Sequence, residues 1–343
     1  MLDPEHDPSS MSVGTDSYVV GAYPASPAHR EWHPDRECEF FDRLQSLENI
    51  SALELPWLGS LHPHDDEWLL QNYPPRLSAV VTDIGYVMST VGDGRAFGLA
   101  STDVAGRQAA LVDVERLRSD VRRFNDRAGR LVVTAVEFHS APRTLSDAEA
   151  LAASLADISD RDWDGAQLLI EHCDAAVPEH EPQKGFLALD DEIAAIQHSE
   201  VSVGLSLNWG RSATEFRDPD RVTEHIRTAS SSGLLHGLIF SGASDRDGDA
   251  GGAWTDAHHA FAASPGHPSG DPTSLLTDAR VEDALAAAVS EGTENAPKWL
   301  GVKVGWARPS GSVAERVRMI RDALAATDLR WNSALRESRS DTP

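Results

Sequence analysis

Eight short apolar runs, each followed by a stretch of helical spacing, predict an α/β fold for this chain, a (β/α)8 TIM barrel. Three observations carry the prediction. The runs have the length and composition of strands buried on both faces. Helices alternate with them along the chain, which implies parallel pairing through right-handed crossovers. Ionisable side chains gather at the C-terminal ends of the runs, where such a barrel places its chemistry. No G-x-G-x-x-G or P-loop follows the first run, which argues against the runner-up, a doubly wound open sheet.

The elements follow in order. Residues 1–16 are polar and rich in Pro, Ser and Asp, and read as a disordered tail. A strand is expected at 17–23 (SYVVGAY), then a helix at 34–47 with Phe40, Phe41, Leu44 and Leu47 on one face. Strands are expected at 52–56 and 78–84, with a helix at 65–72 between them, capped by Asp65. A loop containing Gly92, Gly94 and Gly98 leads to a long helix over 104–128. The fourth strand is 131–138, and the helix over 146–155 opens with Ser146 as N-cap and Glu149 three residues on, a capping box. Strands at 167–172, 201–207, 234–240 and 300–305 complete the eight, separated by helices at 190–198, 218–230 and 272–290 and closed by one at 312–326. The barrel domain is thus expected over 17–328, with a polar tail over 329–343.

Charge and composition restrict the partners. Asp and Glu number 55 against 30 Lys and Arg, a formal net charge of −25. That disfavours a nucleic-acid backbone or an anionic membrane surface, since both require positive patches. Only Lys184, Lys298 and Lys303 are lysines. Two distant cysteines, Cys38 and Cys173, suggest a reducing compartment. The N-terminal residues have neither a basic region nor an apolar core, and no run approaches the length of a membrane span. A cytoplasmic protein acting on a small molecule is the expectation.

The strand ends supply the candidate site. AQLLIEHCD (166–174) passes abruptly from an apolar run into Glu171, His172, Cys173 and Asp174. Glu54 stands between Leu53 and Leu55, so alternation turns it into the barrel. Lys303, between Val302 and Val304, turns inward for the same reason, as a base, a Schiff-base amine or the fixed partner of Glu171 or Glu54. Glu137 and His139 share a strand face, whereas Glu171 and His172 do not. Asp83, Asn208 and Arg211 complete the ring, with Ser241 at the seventh strand end. The long loop after that strand holds Trp254, Asp256, His258 and His259 within WTDAHH, which suggests an ordered cover, with Trp254 or Trp209 stacking on a sugar-like ring.

The eight-unit pattern with IEH closing the fifth strand resembles the xylose-isomerase-like barrels, the sugar-phosphate isomerases, epimerases and their endonuclease relatives, over roughly residues 17–328. In that family Glu, Asp, His and Glu from the later strands hold a divalent metal. Glu171 matches the first position, while Asn208, Ser241 and Lys303 stand where the others would be. The resemblance therefore implies either one divalent ion (Mn, Zn, Co or Mg) on Glu171 with Asp256 and His258, or a metal-free site in which Lys303 supplies the charge.

The leading expectation is a sugar or sugar-acid isomerase or epimerase that moves a proton next to a carbonyl. Glu171, Glu137, His139 and Lys303 would be catalytic. Glu54, Asp83, Asn208, Trp209, Arg211 and Trp254 would bind substrate, Arg211 through an anionic group. The competing readings are a lyase or aldolase using a Lys303 Schiff base, and a carbohydrate-binding barrel without catalysis.

Overall fold

Eight parallel strands close on themselves in chain order: β1 (Tyr18–Gly21), β2 (Ile50–Pro56), β3 (Ser78–Thr82), β4 (Val133–Phe138), β5 (Gln167–Glu171), β6 (Val203–Asn208), β7 (Leu235–Phe240) and β8 (Trp299–Lys303). The computed structural model describes residues 18–28, 31–92, 96–290, 292–308 and 310–340, so the N-terminal tail expected over 1–16 lies outside the described residues. Closure is made by β1 against β8, with Gly21 opposite Lys303.

The period-two alternation of the strands sorts their side chains into two compartments. Outward residues such as Val20, Leu53, Val81, Val136 and Ile170 join the main core against the surrounding helices. Inward, Val19, Ala52, Val80, Ala135 and Leu169 form a separate apolar floor with Trp299 packed on it. Two residues further along those five strands stand Gly21, Glu54, Thr82, Glu137 and Glu171, with Lys303 paired to Gly21. The barrel interior is therefore apolar at its base and charged at its mouth.

The helices are α1 (Pro34–Gln45), α2 (Asp66–Asn72), α3 (Ile84–Val91), α4 (Val104–Ala128), α5 (Ala148–Ser159), α6 (Leu189–Ser199), α7 (Trp209–Phe216), α8 (Val222–Ser231), α9 (Asp278–Val289) and α10 (Val313–Ser340). Asp65 caps α2 as expected, accepting from Trp68 N at 2.9 Å. The α5 cap is Asp147, not Ser146, accepting from Ala150 N at 2.7 Å. Ser146 is drawn instead into a bridge with Ser101.

Two helices depart further from expectation. α3 occupies the start of a stretch read as loop, because its apolar residues Ile84, Val87 and Val91 bury and Gly92 ends it only after two turns. α7 starts directly on β6, its N-terminus capped by Asn208. The expected polar tail is also helical as far as it is described: α10 continues past 328, and Trp331 and Ala334 bury against the core on one face of otherwise polar sequence. Among the described residues, no helix is long and apolar enough to cross a membrane.

The segment between β7 and α9 is folded back on itself. Gly242 and His259 exchange both backbone hydrogen bonds, at 2.8 and 3.2 Å. This brings residues 254–258 over the barrel mouth.

Candidate active site

Glu54, Glu137, Glu171 and Lys303 converge at the mouth, each at most 1% exposed. Lys303 Nζ donates to Glu54 Oε1 at 2.5 Å. Burial works against the ammonium, but Glu54, Tyr23 and Glu171 outweigh it and hold Lys303 well above its ordinary pKa. Burial raises Glu54, with Lys303 as the main opposing influence.

The other two carboxyls differ from each other. Glu171 accepts from Thr82 Oγ1 at 3.2 Å, and its Oε2 lies 2.9 Å from His139 Nε2. Its Oε1 faces Arg211 Nη1 at 2.5 Å. Burial favours protonation of Glu171, but Arg211, Lys303 and His139 prevail and hold it well below the carboxylate range, so it is ionised. Glu137 has no comparable support. The Lys303 charge and the Ser206 hydroxyl act on it only weakly, and neither oxygen has a hydrogen bond of ordinary geometry among the described residues. Burial, with the charges of Glu171 and Glu54, pushes it well above the ordinary range, so it holds its proton.

A second tier orients the first. His139 Nδ1 lies 2.6 Å from Asp83 Oδ1, which fixes the ring between Asp83 and Glu171. Burial opposes the imidazolium, but Cys173, Asp83 and Glu171 around it raise its pKa well above the ordinary value. Arg211, 1% exposed on α7, also reaches Asp256, with Nε 3.0 Å from Oδ2. Lys184 Nζ binds the same oxygen at 2.8 Å. The other Asp256 oxygen lies 3.2 Å from His258 Nδ1, which is also 3.1 Å from Ser241 Oγ.

Outside this layer lies a cleft of about 650 Å³, lined by Tyr23, Asp256, His258, Trp306, Arg308 and neighbours. Asp256 and His258 belong to its lining, and Asp256 is joined through Arg211 to the buried Glu171.

The structure thus brings together Glu54, Asp83, Glu137, His139, Glu171, Arg211 and Lys303 as the strand ends suggested. It separates others. Trp209 is 1% exposed within the core and is not placed to stack on a ligand at the mouth. Trp254 is half-buried and does not line the cleft, whose aromatic wall is Trp306. Asn208 spends its Oδ1 on the Gly210 N cap at 3.0 Å and leaves Nδ2 without a hydrogen-bond partner.

The metal trio expected from Glu171, Asp256 and His258 is not assembled, because the Arg211 guanidinium stands between Glu171 and Asp256. Nor do the ends of β5 to β8 fit a divalent ion: they offer one carboxylate, an amide, a hydroxyl and an ammonium, and the ammonium of Lys303 repels a cation. Two other buried groups, Glu54–Glu137–Glu171 and His172–Glu215–His225, have donor atoms within 4.8 Å of one another, close enough to hold an ion. In the first, Lys303 and Arg211 already neutralise two of the three carboxylates.

Sequence reasoning missed Thr82, Lys184, Glu192 and Glu215. Lys184 had one legible signal, the scarcity of lysine. The two glutamates sit on helices of an acidic chain, where nothing distinguishes them from solvated neighbours.

The closed eight-strand parallel sheet and the helices around it define a TIM barrel. The chain belongs to the family described as Domain of unknown function (DUF4862), whose model matches residues 19–319. An uncharacterized protein of Salmonella typhimurium, STM3670, is 34% identical over 313 residues, covering 90% of this chain and 95% of its own. A solved xylose isomerase domain containing protein from Salmonella typhimurium superposes with a TM-score of 0.57 at 11% identity, over 93% of this chain and 99% of that one. A candidate sugar phosphate isomerase/epimerase from Anabaena variabilis gives 0.53 at 14% identity, over 93% and 99%. At such identities the likeness is one of fold.

Proposed function

We propose that this protein is an isomerase or epimerase that transfers a proton at the carbon next to a carbonyl of a small polyhydroxylated substrate. One observation carries the reading. Glu137 and Glu171 face one interior space, and their surroundings drive their protonation in opposite directions. Proton transfer to and from adjacent positions needs one group that starts charged and one that starts protonated, and divergent pKa values at one site are how a protein supplies both. Glu171 is the base and Glu137 the acid. Lys303 and Arg211 are the fixed cations that stabilise the enolate as charge develops on oxygen.

The Schiff-base reading ranks behind this one. An amine held protonated against Glu54 at 2.5 Å lacks the lone pair that attacks a carbonyl. A binding protein without catalysis gives no account of the divided protonation.

The test is incubation with ketose, aldose and sugar-acid substrates in deuterated water, read by NMR. The proposal expects deuterium at the carbon next to the carbonyl, lost on Glu171→Gln in a variant that keeps the native circular dichroism. Full exchange by that variant, or a substrate adduct trapped on Lys303 by borohydride, overturns it.

A further inference from the structure

We infer that the Asp256 carboxylate occupies a binding site for a substrate carboxylate, so that the protein takes a polyhydroxy acid and must displace its own side chain to bind it. The inference deepens the proposed function by naming its substrate class, but its evidence concerns binding and does not depend on the proton-transfer step.

The site is built and buried. Lys184 is 5% and Arg211 1% exposed, and both cations converge on the single oxygen Oδ2 of Asp256, at 2.8 and 3.0 Å. A carboxylate between one guanidinium and one ammonium is the arrangement that recognises a small organic acid. Here the carboxylate comes from the protein's own covering loop.

That loop is held at a conformational cost. Trp254 and His258, on either side of Asp256, have φ of 55° and 51°, in the left-handed region that side chains other than glycine rarely adopt. Strain of this kind favours release once another anion meets the two cations.

The layer beneath is under-satisfied in a pattern that fits the same ligand. Arg211 Nη2 and Asn208 Nδ2 are buried donors with no hydrogen-bond partner among the described residues. Glu54 Oε2, both Glu137 oxygens and Asp174 Oδ1 are buried carboxyl oxygens in the same condition. Buried polar atoms are normally paired, and groups of them left open mark a place where a partner is missing. A carboxylate satisfies the donors, and the hydroxyls of a polyol chain satisfy the oxygens. A neutral sugar satisfies only the second group.

The cleft of about 650 Å³ supplies the route, since Asp256 and His258 belong to its lining. A ligand entering there meets Asp256 before it meets Arg211, and movement of Asp256 opens the way to Glu171.

The experiment is calorimetric titration of the full chain and of Asp256→Ala with gluconate, glucuronate, glucitol and glucose 6-phosphate. Removing a tethered competitor of roughly millimolar effective concentration should tighten binding of the two acids by about tenfold or more. It should leave glucitol unchanged. Arg211→Gln in the Asp256→Ala background should abolish the gain. Unchanged or weaker acid binding by Asp256→Ala, an equal gain for glucitol, or a gain confined to glucose 6-phosphate overturns the inference. Should Asp256→Ala fail to fold, thermal shifts of the native chain decide: gluconate must stabilise it more than glucitol at equal concentration, and equal shifts overturn the inference. Deuterium exchange tests the proton-transfer reading separately, so failure of one leaves the other standing.

Discussion

Glu171 and His172 are neighbours on one strand end, yet they belong to two buried networks of opposite character. Glu171 points into the barrel and joins Glu54, Glu137, Lys303 and Arg211. His172 points outward, with Nδ1 2.7 Å from Glu192 and Nε2 3.0 Å from Glu215. Glu192 also accepts from Ser140 Oγ at 2.5 Å, and Glu215 from Ala175 N at 2.9 Å. His225 closes the outer network, 3.1 Å from Ser212 Oγ and 3.4 Å from Glu215. Among the described residues, none of the atoms of His172, Glu192, Glu215 or His225 is a buried polar group without a partner, whereas the inner network has orphan atoms on Glu54, Glu137 and Arg211. Both networks take charge out of water. Only the outer one returns a full set of hydrogen bonds, which is the mark of a structural clamp. The inner one retains capacity for a ligand.

Substitutions on the two sides should therefore fail in different ways. The largest effect is expected from Glu137→Gln. Loss of the acid should lower kcat by about 10²- to 10⁴-fold, while the melting temperature stays at or above that of the native chain because an unpaired carboxyl is gone. A Glu137→Gln protein with near-native kcat would break the comparison from the inside.

His172→Ala should do the reverse. It leaves two buried carboxylates without their cation and should destabilise the fold by about 3–5 kcal/mol, measured by urea unfolding. In conditions where the variant remains folded, substrate affinity should be unchanged. A stable His172→Ala protein would show that the outer network is not a clamp.

Glu37 sharpens the distinction as an intermediate case. It is buried beside the cavity of about 240 Å³ that Glu54 also lines, and accepts from Ser26 Oγ at 2.6 Å. Burial, against the Ser26 and Ala28 hydrogen bonds and the Arg316 charge, pushes its pKa up to about 7. Because the folded state binds this proton more tightly than the unfolded chain does, stability falls as pH rises from the ordinary carboxyl pKa to about 7, and is level above that. Glu37→Gln should remove that loss, stabilising the protein at pH 8 by up to ~3 kcal/mol. The difference should vanish below about pH 4.5, the ordinary value for this group. Parallel unfolding curves for the two proteins across that window would contradict the burial argument.

The barrel was legible because strand periodicity is a local signal. Leu53-Glu54-Leu55 and Val302-Lys303-Val304 each placed one charge inward, and the structure pairs those two charges with each other. The strand-five dipeptide likewise separated Glu171 from His172. What the local pattern could not carry is contact between distant segments. Glu192 and Glu215 are ordinary helix glutamates until His172 is placed between them. Arg211 was expected to hold a substrate anion; its link to Glu171 joins α7 to the end of β5, and its link to Asp256 depends on how a covering loop some forty residues away returns over the mouth. Trp209 follows a strand end but starts α7 and turns into the core, a choice made by tertiary packing.

Gly21 carries a consequence for how the barrel closes. A Cβ on that residue would lie 2.6 Å from Lys303 Cγ and 2.7 Å from Glu54 Oε2. The vacant side of the first strand is the corridor through which the lysine of the last strand reaches the glutamate of the second. A side chain at position 21 would collide with both members of that ion pair, so the glycine is required for as long as the lysine and the glutamate meet there.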